Sequence, residues 1–343
     1  MKKFYGVIGN PPYQEDPELG STRSLPIYPD FMDQAYEVGE RVELITPGRF
    51  LFNAGQTKRE WNAKMLSDEH LQVLMYEDDS SKVFPPPVDI KGGVAVTYHD
   101  GSRVIGPVGD FIPIDELHSI AKKSAAKSEA ESLACIVESQ NNYNFDNLYH
   151  DHPDYSQYIS GEGRHSQLKS NALEKVPIFT EEPDGSDILR IFGLVGGQRV
   201  YRYCPSKYIK QPHPNLMKYK VIVAASNGSG TFGEVLSSPL VVEPRVGYTQ
   251  TFMGIGAVAT KVEADAILKY VKTKYARAML GILKKTQHNT KPTWAKIPLQ
   301  DFTSSSDIDW SQSVADIDRQ LYAKYGLSDD EIAFIESHVK EMS

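Results

Sequence analysis

Asn10, Pro11, Pro12 and Tyr13 follow directly on an apolar run, residues 4–9. Together they carry what methylation of an exocyclic amino group needs. The nitrogen lone pair of such an amine is delocalised into the base ring, which makes it a poor nucleophile. Acceptors placed on its two N–H groups hold it near a tetrahedral geometry and free the lone pair. The Asn10 side-chain carbonyl offers one acceptor. The Pro11 carbonyl offers a second, from backbone whose φ is fixed. Pro12 stiffens the hinge, and Tyr13 gives a ring face for a base flipped out of a duplex. No general base with a displaced pKa is required, because the proton leaves after methyl transfer. The bland alternative is a proline-rich turn after a core strand. The apolar run and the tetrapeptide together favour the chemistry.

A second group of residues suits nucleic acid. Residues 266–300 hold Lys269, Lys272, Lys274, Arg277, Lys284, Lys285, Lys291 and Lys296, with no acidic residue among them. Tyr270, Tyr275 and Trp294 are interleaved. In a chain of net charge −8, this local excess is what phosphate contact requires. Gln287 and Asn289 lie in the polar stretch that follows, and such amides read adenine edges. The alternative is a solvated helix face. His150, His152 and His165 read as scattered polar residues and not as metal ligands. Cys135 and Cys204 match no zinc or disulfide spacing, and read as buried thiols in a reducing compartment.

These residues need a scaffold. With 343 residues, 40% of them hydrophobic and 24% charged, the length favours two soluble globular domains. No apolar run is long enough to span a membrane, and a cytoplasmic protein is expected. Residues 4–9 read as a buried strand entering a rigid loop. Phe31, Met32, Ala35 and Tyr36 predict a helix over 28–39, and residues 41–46 a strand stopped by Pro47. A helix is expected over 57–66, with Thr57 as N-cap and Glu60 closing a capping box. Strands are expected over 70–76 and 93–98. Such alternation predicts an α/β parallel sheet. Residues 114–138 read as one long helix, 185–260 as mixed α/β with much loop, and 261–285 as one helix. Two helices close the chain. The first spans 313–325 and stops at Gly326; the second has Ser328 as N-cap and Glu331 in a capping box.

The sequence resembles the adenine-specific DNA methylases of bacterial restriction-modification systems, including fused methylase-nuclease enzymes. Ile8-Gly9-Asn10-Pro11-Pro12-Tyr13-Gln14 is similar to their catalytic motif. Leu44-Ile45-Thr46-Pro47-Gly48-Arg49-Phe50-Leu51 is similar to the next strand motif, which implies that Thr46, Pro47 and Phe50 line the pocket. Lys91-Gly92-Gly93-Val94-Ala95-Val96-Thr97-Tyr98 is similar to a later strand, which implies that Tyr98 packs on the flipped base. The tail from Phe252-Met253-Gly254-Ile255-Gly256 onward is similar to the DNA-reading part. The resemblance implies a partial Rossmann-like sheet over 1–138 and a mixed α/β target-recognition domain over 139–300. Over 301–343 it implies a helical tail. S-adenosylmethionine is the implied cofactor and double-stranded DNA the implied partner. Family members carry a glycine-rich cofactor loop upstream of the catalytic motif, whereas here nine residues precede Asn10. The favoured expectation is a separate subunit carrying the cofactor-binding half. A permuted loop at 228–233 or 252–256, or one at 193–197, is the alternative. A DNA-recognition subunit, a truncated remnant, or the nuclease-associated portion of a fused enzyme are the competing readings.

Overall fold

The structure is a computed structural model that describes residues 4–15, 25–53, 57–139, 143–159, 166–210, 213–228, 230–284 and 286–342. The chain is mixed α/β and forms two compact units, Met1–Ile114 and Asp115–Ser343. This division falls earlier than the boundary expected at 138. No described helix is long and apolar enough to cross a membrane.

The first unit runs β1 (Phe4–Gly9), α1 (Tyr28–Val38), β2 (Gly39–Pro47), α2 (Arg59–Ser67), β3 (Leu71–Glu77) and β4 (Val94–Asp100). The sheet order is β1-β2-β4-β3. β1 pairs with β2 in parallel, and β4 is antiparallel to both of its neighbours. The expected all-parallel sheet is thus mixed. The connection from β3 to β4 holds a 3-10 turn and no crossover helix, so it returns its strand antiparallel. One face of the sheet is buried. Val42, Leu44, Leu71 and Ala95 pack with Tyr28, Met32 and Tyr36, which recur every fourth residue along α1, and with Met65 of α2. Burial of each such large side chain stabilises the unit by about 1.5–3 kcal/mol. The capping box expected at Thr57 does not form. α2 begins after Lys58 without a side-chain cap, and the Thr57 hydroxyl is buried instead.

The second unit opens with α3 (Asp115–Ser124) and a two-residue strand β5 (Val137–Glu138), followed by one-turn helices α4 (Leu148–Asp151) and α5 (Ala172–Lys175). Then come strands β6 (Ile188–Val195), β7 (Gln198–Pro205), β8 (Tyr219–Ala224), β9 (Leu240–Val242), β10 (Val246–Tyr248) and β11 (Phe252–Val258). Helices α6 (Lys261–Lys272), α7 (Lys274–Leu283), α8 (Val314–Lys324) and α9 (Asp329–His338) complete it. The sheets are β10-β6-β7 and β5-β11-β8-β9. Phe192, Ile222, Val242, Tyr248 and Phe252 share one core between them. Cys204 is buried, while Cys135 is exposed and not buried as expected.

Two expected helices are cut short. The long helix over 114–138 stops at Ser124, because the chain beyond it pairs with a distant segment. Ala126 N–H donates to the Lys296 carbonyl at 3.3 Å, and Leu133 N–H to the Ile297 carbonyl at 2.8 Å. The helix over 261–285 breaks at Thr273, whose hydroxyl accepts from Ala276 N–H at 3.1 Å and so starts α7. At the tail the expected starts hold, while the last helix, expected to run to Met342, ends at His338. Ser328 and Glu331 form the full capping box of α9, and Gly326 follows α8 with φ +60.

Asp318 of α8 completes the α7 start from across the sequence. Its buried carboxylate accepts from the Lys274 and Tyr275 N–H groups, at 2.9 Å each. Burial pushes its pKa up to about 6, against the pull of those two bonds and of Arg277. The folded protein therefore holds this proton more tightly than the unfolded chain, where the ordinary value is 3.8. The resulting stability is fully present below the unfolded value and is lost as pH rises through the folded one. A shift of about two units corresponds to roughly 3 kcal/mol. The stability of the wild type relative to Asp318→Asn should fall by up to about that amount between about pH 4 and pH 7. Urea unfolding across this range checks it, and a flat difference would contradict the assignment.

Candidate active site

β1, β2 and β3 run one way and β4 the other. Their register places Pro47 of β2 and Glu77 of β3 opposite Val94, at the start of β4. Gly9 pairs with Leu44, so Asn10 leaves the sheet beside the end of β2. Three segments thus meet at one margin with the Asn-Pro-Pro-Tyr turn: the Pro47–Phe52 turn, the loop after β3 and the Gly92–Gly93 turn. The carboxyl ends of parallel strands are where open α/β sheets hold ligands.

Asn10 is exposed, and Tyr13 is half-buried. The flank beyond the motif is pinned. Ile27 N–H donates to the Tyr13 carbonyl at 3.2 Å, and Glu15 N–H to the Leu25 carbonyl at 3.0 Å. These bonds fix the turn to the segment that opens α1, leaving the Asn10 side chain at the strand end. Burial pushes the Tyr13 phenol up to about 12, so it stays neutral. Its hydroxyl is buried without a hydrogen-bond partner.

The ring that meets Tyr13 is Phe84. Their centroids lie 6.4 Å apart at 66°, an edge-on contact. Phe84 sits in the loop after β3, which Ser80 organises. The Ser80 carbonyl accepts from Phe84 N–H at 2.9 Å, and its hydroxyl oxygen from Ile90 N–H at 2.9 Å. Below this loop Gly92 and Gly93 have φ of +85 and +73, in the left-handed region that favours glycine. Gly93 accepts from Gly48 N–H at 2.9 Å, which ties the β2 and β4 turns together. Phe84 lies in an irregular proline-rich segment with no periodic signal. An aromatic residue between a strand and three prolines was the only trace of it in the sequence.

Tyr98, expected against the base, is elsewhere. It pairs with Glu43, which pairs with Ile8, so it lies on β2's far side from β1 and back from the margin. Its hydroxyl donates to Asp100 at 3.0 Å. Thr46 and Pro47 are buried at the end of β2, and the Thr46 hydroxyl lacks a partner there. Phe50 is core: its ring lies 5.4 Å from Trp61 and 6.4 Å from Tyr28. It packs beneath the margin and does not line an open pocket.

In the second unit most of the expected DNA-contacting residues are already engaged. Lys274 pairs with Glu336. Arg277 is 3% exposed, and its Nε donates to the Lys272 carbonyl at 3.2 Å. Burial pulls its pKa down to about 10, which leaves it charged at neutral pH. Lys284 is buried against Glu234. Asn289 is buried, and its amide donates to the Ala224 carbonyl at 2.8 Å and to Asn227. Trp294 is 1% exposed and offers no stacking face. Lys272 is half-buried, Gln287 exposed, and Lys291 half-exposed at 3.4 Å from Glu129. Lys285 lies outside the described residues, as do His165 and Ser229.

Two of the candidate glycine segments are occupied by the protein itself, and the third is a hairpin turn. In 228–233 Gly230 N–H donates to the Glu234 carboxylate at 3.2 Å, and a Cβ on Gly228 would fall 2.0 Å from that group. Gly254 lies in β11, where a Cβ would meet the Tyr248 hydroxyl at 2.5 Å. Gly196 and Gly197 form the β6–β7 hairpin turn.

Comparison with curated proteins finds no match. Among solved structures the chain is similar to the Type IIL restriction-modification enzyme MmeI in complex with DNA, at 9% identity and a TM-score of 0.40, covering 97% of this chain and 56% of that one. It is also similar to the type IIG restriction endonuclease BpuSI, at 10% identity and a TM-score of 0.34, covering 92% of this chain and 48% of that one. The chain therefore spans about half the length of these structures. Residues 1–84 match the family model described as Eco57I restriction-modification methylase, a segment that holds Asn10, Tyr13, Thr46 and Phe84 and is the part of this chain most directly similar to a methylase.

Proposed function

We propose that this chain is the catalytic and target-reading part of a site-specific DNA methyltransferase of a restriction-modification system, acting on the amino group of a flipped adenine. The observation that carries the reading is the edge-on contact of Tyr13 and Phe84 beside Asn10 at the strand margin. Asn10 Oδ1 and the Pro11 carbonyl would accept from the two amino hydrogens. Tyr13 and Phe84 would hold the base between them, with Phe84 turning from edge-on to face-on. Those acceptors suit adenine and cytosine alike, and the resemblance selects adenine.

S-adenosylmethionine would supply the methyl group. The glycine segments do not fit it: Glu234 occupies 228–233, Gly254 packs under Tyr248, and 193–197 is a tight hairpin turn. A separate subunit carrying the cofactor-binding half would hold it. The free edge of β1 supports that arrangement. Phe4, Tyr5 and Ile8 are 57%, 68% and 84% exposed there, and an apolar edge strand is a template for a further strand. The same filled loops favour a second reading, a DNA-recognition subunit or truncated remnant that methylates nothing alone.

Base–aromatic stacking is worth about 1–3 kcal/mol. With the cofactor-binding half present, Phe84→Ala should slow methylation of bacterial genomic DNA by roughly 10- to 100-fold. Tyr98→Ala should stay within about threefold of wild type, since its ring contributes no such stacking. If Tyr98→Ala were the more damaging change, the pocket assignment would fail.

A further inference from the structure

Most of the basic run over 266–300 is spent on internal contacts, yet part of it converges with a segment far earlier in the chain. Residues 126–133 lie along 296–298, joined by the Ala126 and Leu133 bonds and by a bridge between Ser132 and Pro298. Between the two segments is a groove of about 440 Å³. Its lining includes Ala134 and Ala295, with Lys127, Lys291 and Lys296 around them. The one acidic residue in that lining is Glu129, 3.4 Å from Lys291. An apolar base under a cationic rim matches the two sides of a sugar–phosphate chain, with deoxyribose toward the alanines and phosphate oxygens toward the ammonium groups.

We infer that this groove seats the phosphate backbone of the DNA substrate, with Lys127, Lys291 and Lys296 as the phosphate contacts and Glu129 as the anion that DNA displaces. The inference rests on the DNA-methyltransferase reading and names the surface it would use. Charge complementarity identifies the occupant. The chain carries a net charge of −8, yet this groove is lined by three cations and one anion, and that anion already lies beside Lys291. Backbone phosphates read no sequence, so the groove would set affinity and position, not the recognition site.

The test is the salt dependence of duplex DNA binding by the full chain. Each phosphate contact contributes about 0.9 to the slope of log K against log salt. The triple variant Lys127→Ala, Lys291→Ala, Lys296→Ala should lose roughly two to three units of slope and bind at least about tenfold more weakly at moderate salt. Glu129→Gln removes the competing carboxylate and should bind several-fold more tightly. Lys261→Ala, whose exposed side chain pairs with Asp265 one turn along α6, should leave the slope unchanged. If the wild type binds DNA and both the triple variant and Glu129→Gln behave like it, the groove is overturned while the methyltransferase reading stands. If the wild type binds no DNA, that reading fails with it. Loss of polyglutamate binding in the triple variant with DNA binding intact would assign the groove to an acidic protein and overturn the inference.

Discussion

Replacing Asn10 with Ala should lower the methyl-transfer rate by on the order of 10²–10³-fold, the usual loss when one positioned hydrogen-bonding group is removed from a reacting centre. The expectation follows from the place of the residue. Asn10 is exposed at the end of β1, outside the core formed by Val42, Leu44 and their neighbours. Its loss should therefore change stability by no more than about 0.5 kcal/mol. DNA binding should also persist, since the proposed phosphate contacts, Lys127, Lys291 and Lys296, lie elsewhere in the sequence. The signature is a fall in kcat with little change in DNA affinity, as expected for an interaction made chiefly in the transition state. Asn10→Asp keeps an acceptor, so it should lose less than Asn10→Ala. Single-turnover methylation alongside equilibrium DNA binding separates these outcomes. A parallel loss of binding would mean that Asn10 holds the turn and does not polarise the amine.

Lys284→Met should destabilise the second unit by about 3–5 kcal/mol, the range for stripping one partner from a buried ion pair. The side chains of Lys284 and Glu234 are 4% and 15% exposed. The ammonium also donates to the Asn227 carbonyl at 3.3 Å. Without it, the Glu234 carboxylate would remain inside the 228–233 loop with Gly230 N–H as its donor. Adding Glu234→Leu should recover much of the loss, because a buried pair replaced as a unit leaves no uncompensated charge. Urea unfolding of the two variants measures both effects. Wild-type stability with a reduced DNA salt slope would instead return Lys284 to the phosphate contacts that the sequence suggested.

How much the sequence showed depended on how far away the deciding residue was. β1 was legible as a strand ending in a proline turn, because an apolar run and two prolines act locally, but it is largely exposed and not buried as expected. The capping box of Ser328 and Glu331 spans three residues and was legible for the same reason. The long helix over 114–138 was not. Its Ala, Lys and Glu content favours helix, but backbone pairing with residues 296–298 wins. The break at Thr273 is completed by Asp318, far along the chain. The basic run was legible as charge, but only part of it lies at the surface. Lys274, Arg277 and Lys284 are each claimed by distant residues or by burial, through Glu336, the α7–α8 packing and Glu234.

The margin beside Asn10 shows the same limit. The resemblance pointed to the aromatic at the end of the fourth strand, but β4 runs opposite to β1. Its terminal Tyr98 therefore lies away from the margin where Asn10 leaves the sheet. Strand direction, which no local pattern encodes, leaves Phe84, in a loop without periodicity, as the ring that meets Tyr13.

In the proposed function, Asn10 presents an amino nitrogen for methylation. The most direct measurement is the fate of labelled methyl groups from S-adenosylmethionine in genomic DNA, with the cofactor-binding half present, for the wild type and for Asn10→Ala. Wild-type DNA should carry label that digests to N6-methyladenine, with little or none from the variant. Label recovered as 5-methylcytosine, or equal labelling by the two proteins, would contradict it.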